Sequence, residues 1–318
     1  MIRPPVVVVG SIAYDRIFDF PGRFRQAILP DKIHQLSVSF TVQDVQESFG
    51  GTAGNISYTL RLLGRPVIPI GSVGTDFSNY RAWLERSRIE LAGIRRVPGK
   101  RTAAAYVITD RDDNQISAFQ LGALSVPALA MSSIAKLLPT AIYGIIAPGN
   151  PRDMLLASRQ FSRLKVPYLF DPGQSLPILS SQDIRAMLDR ADGLISNDYE
   201  LELLCRRARV KPRALASQVR YVVTTLGPRG SVVQQGSSRV RIPAAKPRTV
   251  VDPTGAGDAY RAGLVAALVR GQSLVTAAKM GAVASVYTVE LPGTQTHRFT
   301  VADFARRYRA TFGTSSPP

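Results

Sequence analysis

The chain has one cysteine in 318 residues, Cys205, so an internal disulfide is impossible. Cys205 sits in a helical pattern and is expected to be a packed side chain. A chain without disulfides suits a reducing, cytoplasmic setting. No apolar run approaches the length of a membrane span. The apolar part of the opening Met-Ile-Arg-Pro-Pro-Val-Val-Val-Val-Gly is too short for a signal peptide and reads as a first strand. Repeats and low-complexity linkers are missing. So are the Walker A phosphate loop and the H-R-D and D-F-G strings. Acidic residues are scarce, 23 against 40 Lys and Arg, which gives a net charge of +17. Such a charge attracts nucleic acid, anionic membranes or phosphorylated small molecules. The arginines are scattered along the whole chain, with no basic tail and no cluster interleaved with aromatics. They are expected to be solvated surface that also steers an anionic ligand, with no specific nucleic-acid or membrane partner.

What is present is a 45% hydrophobic chain, long enough for one large α/β domain with a small appendage. Val6–Val9 reads as a buried strand that ends in a turn, Gly10-Ser-Ile-Ala-Tyr-Asp15. Partial alternation over 33–42 predicts a half-exposed strand. Helices are expected over 53–63 and 80–91, with a short strand at 67–70. Strands at 101–109 and 115–121, joined by Asp110-Arg-Asp-Asp-Asn114, predict a hairpin. Strands at 142–147, 167–170, 193–195, 221–224 and 231–234 then alternate with helices. That alternation implies a mostly parallel sheet covered on both faces. The segments 16–48 and 101–121 do not fit it and are expected to pair into one small sheet. The 314–318 tail is expected to fray.

The most informative string is Asp252-Pro-Thr-Gly-Ala-Gly-Asp258, preceded by an expected strand at 249–251 and followed by a long apolar helix. Bare backbone at Gly255, Ala256 and Gly257 would leave N–H groups and the positive end of the helix dipole pointing outward, an anion site. Asp258 adds a carboxylate to the same turn. A carboxylate beside an anion hole is awkward unless it takes a proton from a hydroxyl attacking a phosphoryl group held there. Glycine-rich turns before helices also serve purely structural ends, and Asp is a common N-terminal helix residue.

The string resembles the C-terminal signature of the ribokinase-like (PfkB) sugar and nucleoside kinases. Phe49-Gly-Gly-Thr-Ala-Gly-Asn-Ile-Ser-Tyr-Thr-Leu-Arg-Leu-Leu-Gly64 resembles the N-terminal signature of the same family. The two lie in the expected order and cover nearly the whole chain. The resemblance implies a three-layer α/β/α fold, residues 1–318 forming one kinase domain. It also implies a small β-sheet lid, from 16–48 and 101–121, that excludes water competing as phosphoryl acceptor; ordinary edge strands are the alternative.

The resemblance makes Asp258 the general base and Asp15, Gly50, Gly51 and Asn55 the holders of substrate hydroxyls. Asn55 would equally serve as a helix N-cap. Asn197 and Glu200, three apart on one helix face, match a motif that organises Mg2+ and phosphate partly through water; the same spacing is a capping box. Thr225, Gly227 and Gly230 match the turn that holds ATP phosphates, and Gly281 and Ser285 would lie near the adenine. A monovalent cation such as K+ is expected in some members after Thr288.

Several shorter strings resemble the prokaryotic nucleoside-kinase branch: Gly22-Arg-Phe with Leu29-Pro-Asp31, Asp113-Asn-Gln-Ile116 and Phe170-Asp-Pro-Gly-Gln174. A base needs apolar and aromatic walls with a few amides, which Gln115, Phe119 and Gln174 supply on substrate-side segments. The expected activity is phosphoryl transfer from ATP to a nucleoside 5′-hydroxyl, adenosine-like and broad in base, in a monomer or homodimer. A sugar kinase is the alternative. An inactive kinase fold acting as a basic nucleic-acid-binding or regulatory protein is the third reading, against which the intact 255–258 turn stands.

Overall fold

The computed structural model describes residues 3–29, 31, 35, 37–112 and 114–313. Expectations at Pro30, at 33, 34 and 36 within the 33–42 pattern, at Asp113 and in the 314–318 tail lie outside them.

Along the chain the strands are β1 (Val6–Val9), β2 (Ala13–Asp19), β3 (Val45–Gly50), β4 (Val67–Val73), β5 (Ile94–Arg96), β6 (Ala103–Thr109), β7 (Gln115–Gln120), β8 (Tyr143–Ile146), β9 (Tyr168–Phe170), β10 (Gly193–Asn197), β11 (Tyr221–Thr225), β12 (Ser231–Gln235) and β13 (Ser238–Ile242). The helices are α1 (Phe24–Ala27), α2 (Thr52–Leu62), α3 (Ser78–Arg86), α4 (Ser132–Ala135), α5 (Pro151–Leu164), α6 (Ser181–Leu188), α7 (Asp198–Ala208), α8 (Pro212–Gln218), α9 (Ala256–Leu268), α10 (Leu274–Val289) and α11 (Val301–Phe312).

Nine strands form one sheet in the order β13-β12-β11-β10-β9-β8-β1-β4-β5, parallel except for β12 and β13 at one edge. Val6 and Val8 pack into one hydrophobic cluster with α2, α9 and α10, whereas Val7 and Val9 pack into a second with α5 and α6. Successive side chains of a strand point to opposite faces. A strand covered on both sides therefore reads as an unbroken apolar run, and β1 is four valines. Cys205 lies buried in the second cluster. No helix among the described residues is long and apolar enough to cross a membrane.

The second sheet has four strands in the order β3-β2-β6-β7. The chain leaves β1 at Gly10 and enters this sheet three residues later. The 10–15 segment is therefore no plain turn: Asp15 stands on β2, paired with Ser48 on β3 and Ala105 on β6. The hairpin of β6 and β7 forms as its sequence predicts. Asp110 closes it by accepting N–H groups from Asp112 and Asn114, and it also ties in Phe24 N at 2.8 Å.

Three expectations are corrected. Residues 37–42 are not a strand; Phe40 packs edge-on to Phe20 and Phe24 at 4.9 and 5.1 Å. Its alternation serves a local aromatic cluster, and β3 pairs with β2 instead. Residues 249–251 are not a strand either. The N–H groups of Val251 and Asp252 both go to the Val289 carbonyl at the end of α10, and Val250 and Val251 are exposed. Finally, the helix expected over 80–91 starts at Ser78 and stops at Arg86. Arg88 takes a left-handed φ of 56°, and Ile89 N donates back to Leu84 O, a tight C-terminal closure.

Gly51, at the junction of β3 and α2, has φ 83°, and a methyl group there would meet the Ser11 carbonyl oxygen at 2.6 Å and Ala13 N at 2.7 Å. Gly51→Ala should therefore cost ~1–3 kcal/mol from backbone strain, with crowding in addition. The expected outcome is a lower urea midpoint at unchanged m-value; an unchanged midpoint would contradict this account of the junction.

Candidate functional site

In open α/β sheets, ligands bind beyond the carboxyl ends of the strands where the strand order reverses. Here the reversal falls at β1, flanked by β4 and β8. At that edge the structure gathers the ends of β1, β9, β10 and β11, the β3–α2 junction and the start of α9.

The start of α9, like that of α2, carries no capping side chain, in contrast to five other helices. α5, α6, α7, α10 and α11 each begin with a side chain accepting a first-turn N–H. α9 has none: its N-cap is Gly255, in left-handed conformation at φ 76°. The Ala256 N–H is taken by the Pro253 carbonyl at 3.1 Å. Those of Gly255, Gly257 and Asp258 have no acceptor among the described residues. The amides left free at this turn are thus those of Gly255, Gly257 and Asp258, with Ala256 spent on closing it. Asp252 holds the approach, accepting Thr254 N at 2.8 Å and Gly293 N at 2.9 Å.

Asp258 is in the first turn of α9, partly exposed toward that edge. Its Oδ2 accepts from Asn55 Nδ2 at 2.9 Å, a bond across 203 residues. Asn55 is buried, and its own Oδ1 accepts from Gln295 Nε2 at 3.0 Å. Gln295 therefore fixes which end of the Asn55 amide faces Asp258. Asn55 is not a helix cap, because the N-cap of α2 is Gly51. Burial pushes the Asp258 carboxyl up to about 6, against the Arg261 guanidinium and the Asn55 bond, while Asp15 and Glu200 add to the rise.

Asp15 faces the same space. Burial pushes it up to about 6 as well, against a hydrogen bond from Thr294 Oγ1 at 3.4 Å, with the charge of Asp252 adding to the rise. Gly50 is bare for this carboxylate: a methyl group on it would fall 2.2 Å from Asp15 Oδ2. Asp15, Gly50, Asn55, Gly255 and Asp258, spread over some 240 residues of sequence, thus meet at one edge.

One buried charged pair at this edge was not anticipated from the sequence. Arg261, 7% exposed, donates from Nε and Nη2 to both carboxylate oxygens of Asp171, which is 1% exposed and directly follows β9. Burial works against the charge of Arg261. Asp171, Asp258 and Glu200 outweigh it and hold the guanidinium above its ordinary value. The available signal was a charged residue within an otherwise apolar helix, three places after Asp258, where side chains share a face.

The remaining candidates divide. Phe119 lies in register with Ala105, itself opposite Asp15, so it stands on the Asp15 face of the small sheet, half exposed. Gln115 shares that face four residues farther along β7. Gln174 is exposed on the turn after β9 and forms no hydrogen bond with Asp15 or Asp258. Asn197 and Glu200 form a reciprocal capping box, Glu200 N to Asn197 Oδ1 at 2.7 Å and Asn197 N to Glu200 Oε2 at 2.9 Å, which leaves Glu200 Oε1 outside it. Among the described residues no group of three His, Cys, Asp or Glu is gathered as for a metal ion. Thr225 ends β11, and Gly227 and Gly230 bound a tight turn with φ 58° and 87°. Gly281 is buried against Tyr260, where a methyl group would meet the Tyr260 carbonyl oxygen at 2.8 Å; it lets α9 and α10 approach. Ser285 donates to Ala256 O at 2.8 Å, bracing the same turn from α10.

The chain is similar to known proteins along nearly its whole length. Residues 4–300 match the model of the pfkB family carbohydrate kinases. A nucleoside kinase of Methanothermobacter thermautotrophicus is 30% identical, over 98% of both chains. One of Methanocaldococcus jannaschii is 29% identical over 92% of each. The structure of Burkholderia thailandensis nucleoside kinase in complex with inosine superposes with a TM-score of 0.87 at 31% identity, over 98% of this chain and 100% of that one. Its complex with ADP-inosine gives 0.84 at 32% identity, over 98% and 97%. The two signatures, the ribokinase-like sheet and the bare turn before α9 thus have one origin: the chain belongs to the pfkB family of carbohydrate kinases.

Proposed function

We propose that this protein is an ATP-dependent nucleoside kinase that phosphorylates the 5′-hydroxyl. The observation that carries it is the Asp258 carboxylate, oriented by Asn55 and standing at a helix start whose amides at 255, 257 and 258 are free. Similarity along the full length to nucleoside kinases, one with inosine bound, supports a nucleoside as acceptor.

In this reading Asp15 and Asn55 hold the ribose hydroxyls, with Gly50 and Gly51 giving the sugar room against bare backbone. Asp258 takes the proton of the 5′-hydroxyl as its oxygen attacks the γ-phosphorus of ATP. The bond from the γ-phosphorus to the bridging oxygen breaks, and ADP leaves with that oxygen. The free amides at 255, 257 and 258 stabilise charge on the transferring group. Thr225, Gly227 and Gly230 hold the remaining phosphates. The small sheet acts as a lid whose Asp15 face, with Phe119, covers the nucleoside and keeps water from accepting the phosphoryl group. A base needs an aromatic or apolar wall, and Phe119 is an exposed aromatic on that face.

Mg2+ carried with ATP fits the site through Glu200, which keeps one carboxylate oxygen outside its capping box, and Asn197, both acting through water; it would neutralise charge on the β- and γ-phosphates. No residue here is assigned as a ligand of a monovalent cation.

ATP consumption should be measured against a panel of nucleosides and free sugars. Turnover on at least one nucleoside is expected, and activity confined to free sugars would overturn the nucleoside assignment. Asp258→Asn should lower kcat by roughly 10²–10⁴-fold, the usual size of a general-base effect, with the fold intact by circular dichroism. Full activity in that variant would contradict the base.

The base works only when ionised, and both Asp258 and Asp15 are pushed up to about 6. Activity should therefore be level above that pH and fall as pH drops through it, by about tenfold per unit if one ionisation governs the rate. A log(kcat/KM) profile that stays flat down to pH 4.5 would rule out this assignment.

A further inference from the structure

Arg261 is the one arginine side chain packed into the first turns of α9, and it carries an unspent donor there. Nε and Nη2 are both committed to Asp171 in a two-pronged pair. Nη1 has no acceptor among the described residues. It lies against the anion-binding turn: a methyl group added to Gly257 would sit 2.8 Å from Nη1. Side chains in a helix lean toward its N-terminus, so a residue at 261 covers the turn at 257 and 258. Burial is more than nine-tenths complete, so the guanidinium cannot swing away, and Asp171 fixes its plane from the end of β9.

A guanidinium presents its donors in a rigid fork, and two edges of that fork are distinguishable. One edge here is used for positioning. The other, Nη1, lies beside Gly257, whose amide is free, at the turn where an anionic group would bind. A salt bridge that served packing alone gains nothing from ending beside bare amides. Replacing such a buried ion pair by apolar residues is often neutral or stabilising.

We propose that Arg261 is a catalytic residue of the phosphoryl transfer: its Nη1 donates to an equatorial oxygen of the transferring phosphoryl group, and Asp171 is the positioning residue that aims it. Arg261 acts in cis as an arginine finger does, from beneath the anion hole and from the same helix as the base. This rests on the phosphotransferase reading above, but not on the identity of the acceptor. Bonds made and broken are those of the transfer already written. Arg261 keeps its proton throughout and contributes charge and a hydrogen bond.

Arg261→Lys keeps the charge and loses the fork. Calorimetry would compare the affinity for MgADP alone with that for MgADP plus aluminium fluoride, a mimic of the transferring phosphoryl group. Wild type should bind the mimic complex more tightly than ADP. Arg261→Lys should lose roughly 10²-fold or more for the mimic, in line with the loss of one preorganised donor, while ADP affinity changes by less than threefold. In turnover the loss should fall on kcat and leave the nucleoside KM within about threefold, and millimolar guanidinium should restore part of the rate to Arg261→Ala. Equal losses for ADP and for the mimic, or a loss confined to KM, would assign Arg261 to structure only and overturn the proposal. So would undiminished affinity for the mimic in folded Arg261→Lys. Should Arg261→Lys give no cooperative melt, Asp171→Asn carries the same comparison with an expected selective loss of about tenfold; a uniform loss there has the same overturning force. Binding of the mimic needs no acceptor, so failure to phosphorylate any nucleoside would fault the proposed function while leaving this result readable.

Discussion

Three carboxylates, Asp171, Glu200 and Asp258, lie close enough to Arg261 to hold its charge, and on this electrostatic knot the edge of the sheet depends. The three come from the end of β9, the start of α7 and the start of α9. β9 is held in the sheet by its backbone pairing with β8 and β10, while α7 and α9 pack on that sheet largely through hydrophobic contact, which is not directional. One buried guanidinium makes the relation between them specific. An uncompensated charge here would cost several kcal/mol. The carboxylates offset the desolvation of Arg261, and Arg261 in turn keeps Asp258 from drifting further toward its neutral form.

A second layer of constraint runs from the opposite side of the site. Trp83 on α3 donates to Gln295, Gln295 donates to Asn55 and to Tyr80, and Asn55 donates to Asp258. Tyr80 in turn donates to the Gly50 carbonyl. Every amide in this chain has its orientation fixed by the neighbour before it, so the hydrogen reaching Asp258 arrives from a defined direction. Rigid donors of this kind need no rearrangement as charge develops, which is where enzymes gain most from electrostatics. Asp258 is thus approached by Asn55 on one side and Arg261 on another, with the bare amides of its own helix completing the surround.

The contrast among helix starts has the same logic. Five helices spend a side chain on their first-turn N–H groups, because unpaired backbone donors are costly when buried. α9 leaves the donors at 255, 257 and 258 unspent at a partly exposed position. That omission is tolerable because the approach is held by other means, through Asp252 to Thr254 and Gly293 and through Ser285 to Ala256. The turn is stiffened from outside, so nothing has to occupy it.

The sequence by itself determined the parallel core, the hairpin of β6 and β7 and the anion turn. Each is local: apolar runs of strand length, turn residues at fixed offsets, and glycines where a helix must begin without side chains. It misplaced strands at 37–42 and 249–251, because period-two alternation and valine runs are satisfied equally by an aromatic cluster around Phe40 and by backbone bonds to Val289. Asn197 and Glu200 read either as a capping box or as metal and phosphate ligands, and the structure makes the box without closing the other role. For Asn55, read as a holder of substrate hydroxyls with a helix cap as the alternative, the structure removes the cap, because its amide bonds Asp258 203 residues away. Only the tertiary structure decided that Asp15 stands on a strand of the small sheet, that Gln295 orients Asn55, and that Asp171 holds Arg261. The reason is physical: these are contacts between elements far apart in sequence. One-dimensional periodicity records which face of an element is buried, but not which charged group lies opposite it.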